Sequence, residues 1–175
     1  MTIAFICNEV RGLTEKYCER SPLRLAEGMG VIVRYEPMGS DENACKGFFI
    51  AQSGQRHITV NSDLSETTQQ LVLAHELGHA VLHCGKARLQ TYHDFSLLET
   101  KTTLEYEANL FTAELLLDDE EVSKTLREEN SFFAAAKRLE VPAELLDFKL
   151  RILRHKGLSL DSPILSRSNF LKDIN

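Results

Sequence analysis

Between Leu71 and Leu82 the chain is apolar almost throughout, and its titratable interruptions are His75, Glu76 and His79. A helix that is apolar nearly all round is packed on several sides. Two imidazoles and a carboxylate are costly to bury there without partners. Residues four apart lie one above the other on a helix, so His75 and His79 can reach one metal ion. Glu76 is turned by about 100° from His75. That keeps its carboxylate near the metal but outside the ligand set, where a general base for the attacking water belongs. The competing reading is a helix with two satisfied core histidines, and the H-E-x-x-H spacing in this setting makes it the weaker one. Ser65 and Thr67 are both credible helix caps, and Thr67 with Gln70 has capping-box spacing. Gly78 costs about 1 kcal/mol relative to alanine inside a helix, and close approach of another backbone would account for it.

A catalytic zinc takes three protein ligands and keeps one position open. The next helical pattern, from Thr102 to Leu117, sets Leu104, Ala108, Phe111 and Leu115 on one stripe, with Glu107 at one border and Glu105 at the other. Thr102 and Glu105 have the form of a capping box, which gives Glu105 a structural task at the helix start. Glu107 has no such task, so the local signals favour it as the third ligand, with Glu105 the alternative.

These segments resemble the ImmA/IrrE family of zinc metallopeptidases. The resemblance runs through Ile58 to Asn61, Leu73 to His83 and Glu105 to Leu116, and covers about residues 20–155. It implies a compact zincin-like core whose sheet edge takes up an extended substrate. In that family the glutamate before Ala-Asn is the third ligand, which falls on Glu107. The implied activity is cleavage of a helix-turn-helix transcriptional repressor encoded nearby. One departure is Asp118, where a proline often follows the Leu-Leu-x segment; Asp118 is also suited to cap the next helix.

The chain has 175 residues, 43% of them hydrophobic, enough for one domain with a real core. Cys7, Cys18, Cys45 and Cys84 show no C-x-x-C pair and no disulfide spacing, which suggests reduced thiols in the cytoplasm. The N-terminal residues lack the basic and apolar regions of a signal peptide. No run approaches the roughly 18 apolar residues of a membrane span. A net charge of -6 argues against a chain-wide nucleic-acid surface.

A helix is expected over 9–29, with a break or restart at Ser21-Pro22. Strands are expected at Val31 to Tyr35, Gly47 to Ala51 and His57 to Asn61, the last two forming a hairpin around Ser53-Gly54-Gln55. Residues 85–101 read as a long connection. Tyr92 and His93 within it are candidates to stabilise the transition state, although an ordinary surface role is the stronger reading. Continuing the histidine stripe, His83 reads as structural or as support behind the ligands. Cys84 points away and reads as an inert buried thiol. Cys45 lies in a polar loop before a strand, and its thiolate is a candidate inhibitory fourth ligand, with a simple loop cysteine favoured.

Residues 131–157 have a helix-turn-helix-like pattern, with Val141 at the turn and Pro142 near the start of the second helix. From Ser131 to Lys156 there are six basic and three acidic residues. A site for a nucleic-acid activator would look like this; a helical packing subdomain is the better reading. The expected molecule is α+β: a zincin-like core over 1–130 with a sheet of three or more strands and the H-E-x-x-H helix, a helical extension over 131–157, and a tail over 158–175. Its expected function is that of a cytoplasmic endopeptidase with one zinc ion held by His75, His79 and Glu107, and with Glu76 as base. The alternative is a non-proteolytic, zinc-stabilised regulator that binds a repressor or DNA. An intact Glu76 argues against it.

Overall fold

The computed structural model describes residues 1–41, 43–83, 92–94, 98 and 102–158, with 92–94 described in their backbone alone. Cys84 and the tail beyond Leu158 lie outside these residues. In chain order the elements are α1 (Ile3–Tyr17), α2 (Pro22–Gly28), β1 (Val31–Glu36), β2 (Gly47–Gln52), β3 (Gln55–Asn61), α3 (Glu66–Leu82), β4 (Tyr92–Asp94), α4 (Thr103–Leu116), α5 (Asp119–Glu128), α6 (Phe132–Arg138) and α7 (Ala143–His155). The fold is α+β, as the sequence leads one to expect. Its compact units are Met1–Leu116 and Leu117–Asn175. Helix α5 lies in the second unit with α6 and α7.

The first helix starts at Ile3, six residues ahead of expectation. Thr2 caps it by accepting a hydrogen bond from the Phe5 N–H (3.2 Å), and Ile6 and Val10, one turn apart, supply the buried face. Cys18 ends the helix in the left-handed region (φ 50°), and Pro22 opens α2 at its first turn, where a missing N–H costs nothing.

The sheet has the order β1-β3-β2-β4. Strands β1 and β3 are parallel, β2 is antiparallel to β3, and β4 is antiparallel to β2. The β2–β3 hairpin turns on Ser53 (φ 53°) and Gly54 (φ 81°) between the paired Gln52 and Gln55. Positive φ at both central residues matches the right-handed twist of the flanking strands. At the end of β3 the buried Asn61 ties down the preceding loop. Its amide donates to the carbonyls of Gly39 (2.7 Å) and Cys45 (2.9 Å), and its oxygen accepts from the N–H groups of Met38 (3.2 Å) and Asp63 (2.9 Å).

Helix α3 packs on β2, β3 and α4. Ser65 caps it, accepting from the Thr68 N–H at 3.3 Å; Thr67 lies inside the helix. Every residue from Leu71 to Ala80 is buried, as its all-round apolar sequence requires. Two glycines set how close its neighbours come. A Cβ on Gly78 would stand 3.2 Å from the Phe111 ring and 3.3 Å from Phe111 Cβ, so the close approach is made by a side chain of α4. A Cβ on Gly47 would overlap the Val72 methyl and lie 3.0 Å from the Thr59 carbonyl oxygen. Gly47→Ala is therefore expected to cost about 1–3 kcal/mol, the usual penalty of overpacking. It should also separate α3 from β2. Urea unfolding of the full chain measures the first effect, and the accompanying loss of metal affinity reports the second.

In the second unit, Asp118 caps α5 by accepting from the N–H groups of Glu120 (2.9 Å) and Glu121 (3.0 Å). Asp119 receives the buried Lys149 on one oxygen and Lys156 on the other, each at 2.6 Å. Arg151 pairs with Asp147 (2.8 Å), and Arg138 with Glu128 (2.7 Å) and Glu129 (3.0 Å). Four of the six basic side chains between Ser131 and Lys156 are thus engaged within the unit. No described helix is long and apolar enough to cross a membrane.

Candidate metal centre

His75 and His79 emerge from the middle of α3, with 1% and 0% of their surface exposed. Their Nε2 atoms are 3.1 Å apart. Glu105, in the first turn of α4, brings Oε2 to 3.1 Å from His75 Nε2 and 3.5 Å from His79 Nε2. Donors bound to zinc at about 2.0–2.1 Å in a tetrahedron stand about 3.3 Å from one another. Two imidazole nitrogens and a carboxylate oxygen at these separations, two of the three buried, fit such an ion in both donor type and spacing. Burial by itself would raise the Glu105 carboxyl. The adjacent His75 and His79 imidazoles outweigh it and hold the group well below the ordinary carboxylate range.

The sequence argument assigned Glu107 to the metal, whereas the structure sets Glu105 against the two imidazoles and turns Glu107 elsewhere. Glu107 is buried, and its Oε2 lies 3.0 Å from His83 Nε2 while Oε1 pairs with the Met1 amino group. The physical reason lies in the cap. Thr102 does accept from the Glu105 N–H (3.2 Å), but this uses the backbone of Glu105 and leaves its carboxylate available to the histidines. A capping signal therefore does not commit the side chain at the third helical position.

Glu76 is fully buried on α3 and stands outside the His75–His79–Glu105 group. Its Cγ lies 3.7 Å from where a Cβ on Gly47 would sit, so it occupies the side of the centre bordered by β2. Tyr92 and His93 lie on β4, in register with Phe49 and Phe48 of β2, and their side chains fall outside the described residues. The half-buried Cys45 donates its thiol to the Gly47 carbonyl (3.4 Å) and is not among the clustered donors.

A sheet backed by a helix carrying two clustered histidines and an adjacent glutamate, with a carboxylate of the following helix beside them, is the arrangement of a zincin-like metallopeptidase. The model of a peptidase family described as the IrrE N-terminal-like domain matches residues 26–151, and the chain belongs to that family. It is 32% identical over 140 residues to "Uncharacterized immunity region protein 2" of Bacillus phage phi105, covering 80% of this chain and 85% of that protein. It is 36% identical over 96 residues to "Metallopeptidase ImmA" of Bacillus subtilis (strain 168), covering 53% of this chain and 54% of that one.

Proposed function

We propose that this chain is a zinc-dependent, site-specific endopeptidase of the cytoplasm that cleaves a helix-turn-helix transcriptional repressor encoded near its own gene and so relieves repression. The observation that carries the peptidase reading is the cluster of buried His75 and His79 with the half-buried Glu105, with Glu76 beside it and outside it. The regulatory substrate draws on family membership and on relatives named for an immunity region and for ImmA.

His75, His79 and Glu105 would hold the metal, which when bound supplies a Lewis acid for the peptide carbonyl and acidifies the attacking water. Glu76 accepts that water's proton and delivers it to the departing amine. Being carried by a helix buried over ten consecutive residues, from Leu71 to Ala80, it reaches both partners with little reorganisation. His75, Glu76 and His79 are shielded from water, which strengthens each electrostatic contact made there.

Gating by a nucleic acid bound along 131–156 has less support, since most of that segment's cations already pair with carboxylates of their own unit. Incubating the purified chain with the repressor encoded beside its gene, then mapping fragments by mass spectrometry, tests the proposal. A single cleavage is expected, lost on chelation and restored by zinc. An intact repressor that nonetheless co-purifies with the zinc-loaded chain would favour the non-proteolytic regulator instead.

A further inference from the structure

Behind the metal centre, on the side away from Glu105, three buried side chains form a chain of hydrogen bonds. His79 Nδ1 lies 3.0 Å from His83 Nδ1, and His83 Nε2 lies 3.0 Å from Glu107 Oε2. His79, His83 and Glu107 are 0%, 0% and 3% exposed, so water does not compete for these contacts. His83 sits at the C-terminal cap of α3, held there by its N–H donating to the His79 carbonyl at 2.9 Å.

With His83 neutral and Glu107 ionised, the donor and acceptor inventory allows one proton arrangement along this chain. An ionised carboxylate only accepts, so His83 carries its proton on Nε2 and donates it to Glu107. His83 Nδ1 is then a lone pair and accepts from His79, which must carry its proton on Nδ1. That leaves a lone pair on His79 Nε2, the atom facing His75 and Glu105. We propose that His83 and Glu107 are positioning residues, holding His79 in the single tautomer and ring orientation that can bind a metal ion. The inference rests on the ligand assignment above and gives the buried Glu107 a task that the metal itself does not require. Outer partners of this kind fix the ring and raise the basicity of the ligand.

The protonation pattern is read directly in the zinc-loaded parent chain by long-range proton–nitrogen NMR of labelled histidines. The expected result is His83 protonated on Nε2 and His79 on Nδ1; His83 protonated on Nδ1, or on both nitrogens, overturns the proposal. Zinc titration against a competing chelator gives the second readout. Glu107→Leu and His83→Phe, which keep bulk and remove the link, should each weaken zinc binding by about 10–100-fold. They should also alter the visible spectrum of the cobalt-substituted site. Glu107→Gln, whose amide oxygen still accepts, should restore both toward the parent. The double variant should lose little more than either single one, because the two residues act as a unit. Parental affinity in folded single variants, or losses that add, would sink the idea. Failure of the ligand assignment looks different, since Glu105→Ala would then bind zinc like the parent. Failure of the relay alone leaves Glu105→Ala metal-poor and Glu107→Leu unaffected.

Discussion

Glu76→Gln is expected to lower cleavage of the proposed repressor substrate by roughly a hundredfold to ten-thousandfold, the range general acid–base catalysis supplies, while metal content and fold stay those of the parent. The substitution is isosteric, so the contact of α3 with β2 near Gly47 is undisturbed. The amide can neither take the water's proton nor pass it to the leaving amine. Because Glu76 stands outside the His75–His79–Glu105 group, its loss should not register in a zinc titration. Single-turnover cleavage and metal analysis on the same preparation check both halves. Undiminished cleavage would remove Glu76 from the chemistry, and a joint loss of zinc would make it a ligand.

Glu105→Ala is expected to reduce zinc affinity by far more than the roughly 10–100-fold that follows loss of an outer partner. On the proposed ligand set it removes one of three ligands, and a zinc ion held by two imidazoles would lack a carboxylate to offset its charge. The metal-free protein should feel the change too. His75 and His79 Nε2 stand 3.1 Å apart, and the Glu105 carboxylate lies 3.1 Å from His75 Nε2, so its loss removes an acceptor from the buried histidine pair. The informative comparison is with the neighbouring glutamate, so that zinc affinity ranks parent, then Glu107→Leu, then Glu105→Ala. The reverse order of the two variants would return the ligand role to Glu107, where sequence reasoning placed it. Competitive zinc titration with far-UV circular dichroism as a fold control decides between them.

Much of this was legible in the chain itself, for reasons of period and composition. The apolar run from Leu71 to Leu82 sets a buried helix, and the four-residue interval sets two imidazoles on one face of it. The β-branched and aromatic runs mark three of the four strands, and Ser53-Gly54 marks the hairpin. Each is a local signal that packing reinforces. The start of α1 escaped because its cap, Thr2, and its buried pair, Ile6 and Val10, form a short apolar signal without a strong N-terminal boundary. The fourth strand was hidden in a connection with little periodicity, since a three-residue edge strand is defined by its partner β2 more than by its own sequence.

What only the tertiary structure decided is which of two carboxylates two residues apart lies against His75 and His79. Glu105 and Glu107 lie on opposite borders of one helical stripe, and which of them meets His75 and His79 depends on how α4 is set against α3. That setting comes from contacts far apart in sequence, above all Phe111 against the bare backbone of Gly78. The same packing carries Glu107 to His83 and buries it there. The sequence determined that a metal-binding helix exists and which two histidines it offers, because one helix's own geometry suffices for that. Which carboxylate lies beside the two histidines, and which lies behind His79, required the distance between two helices, which no local pattern encodes.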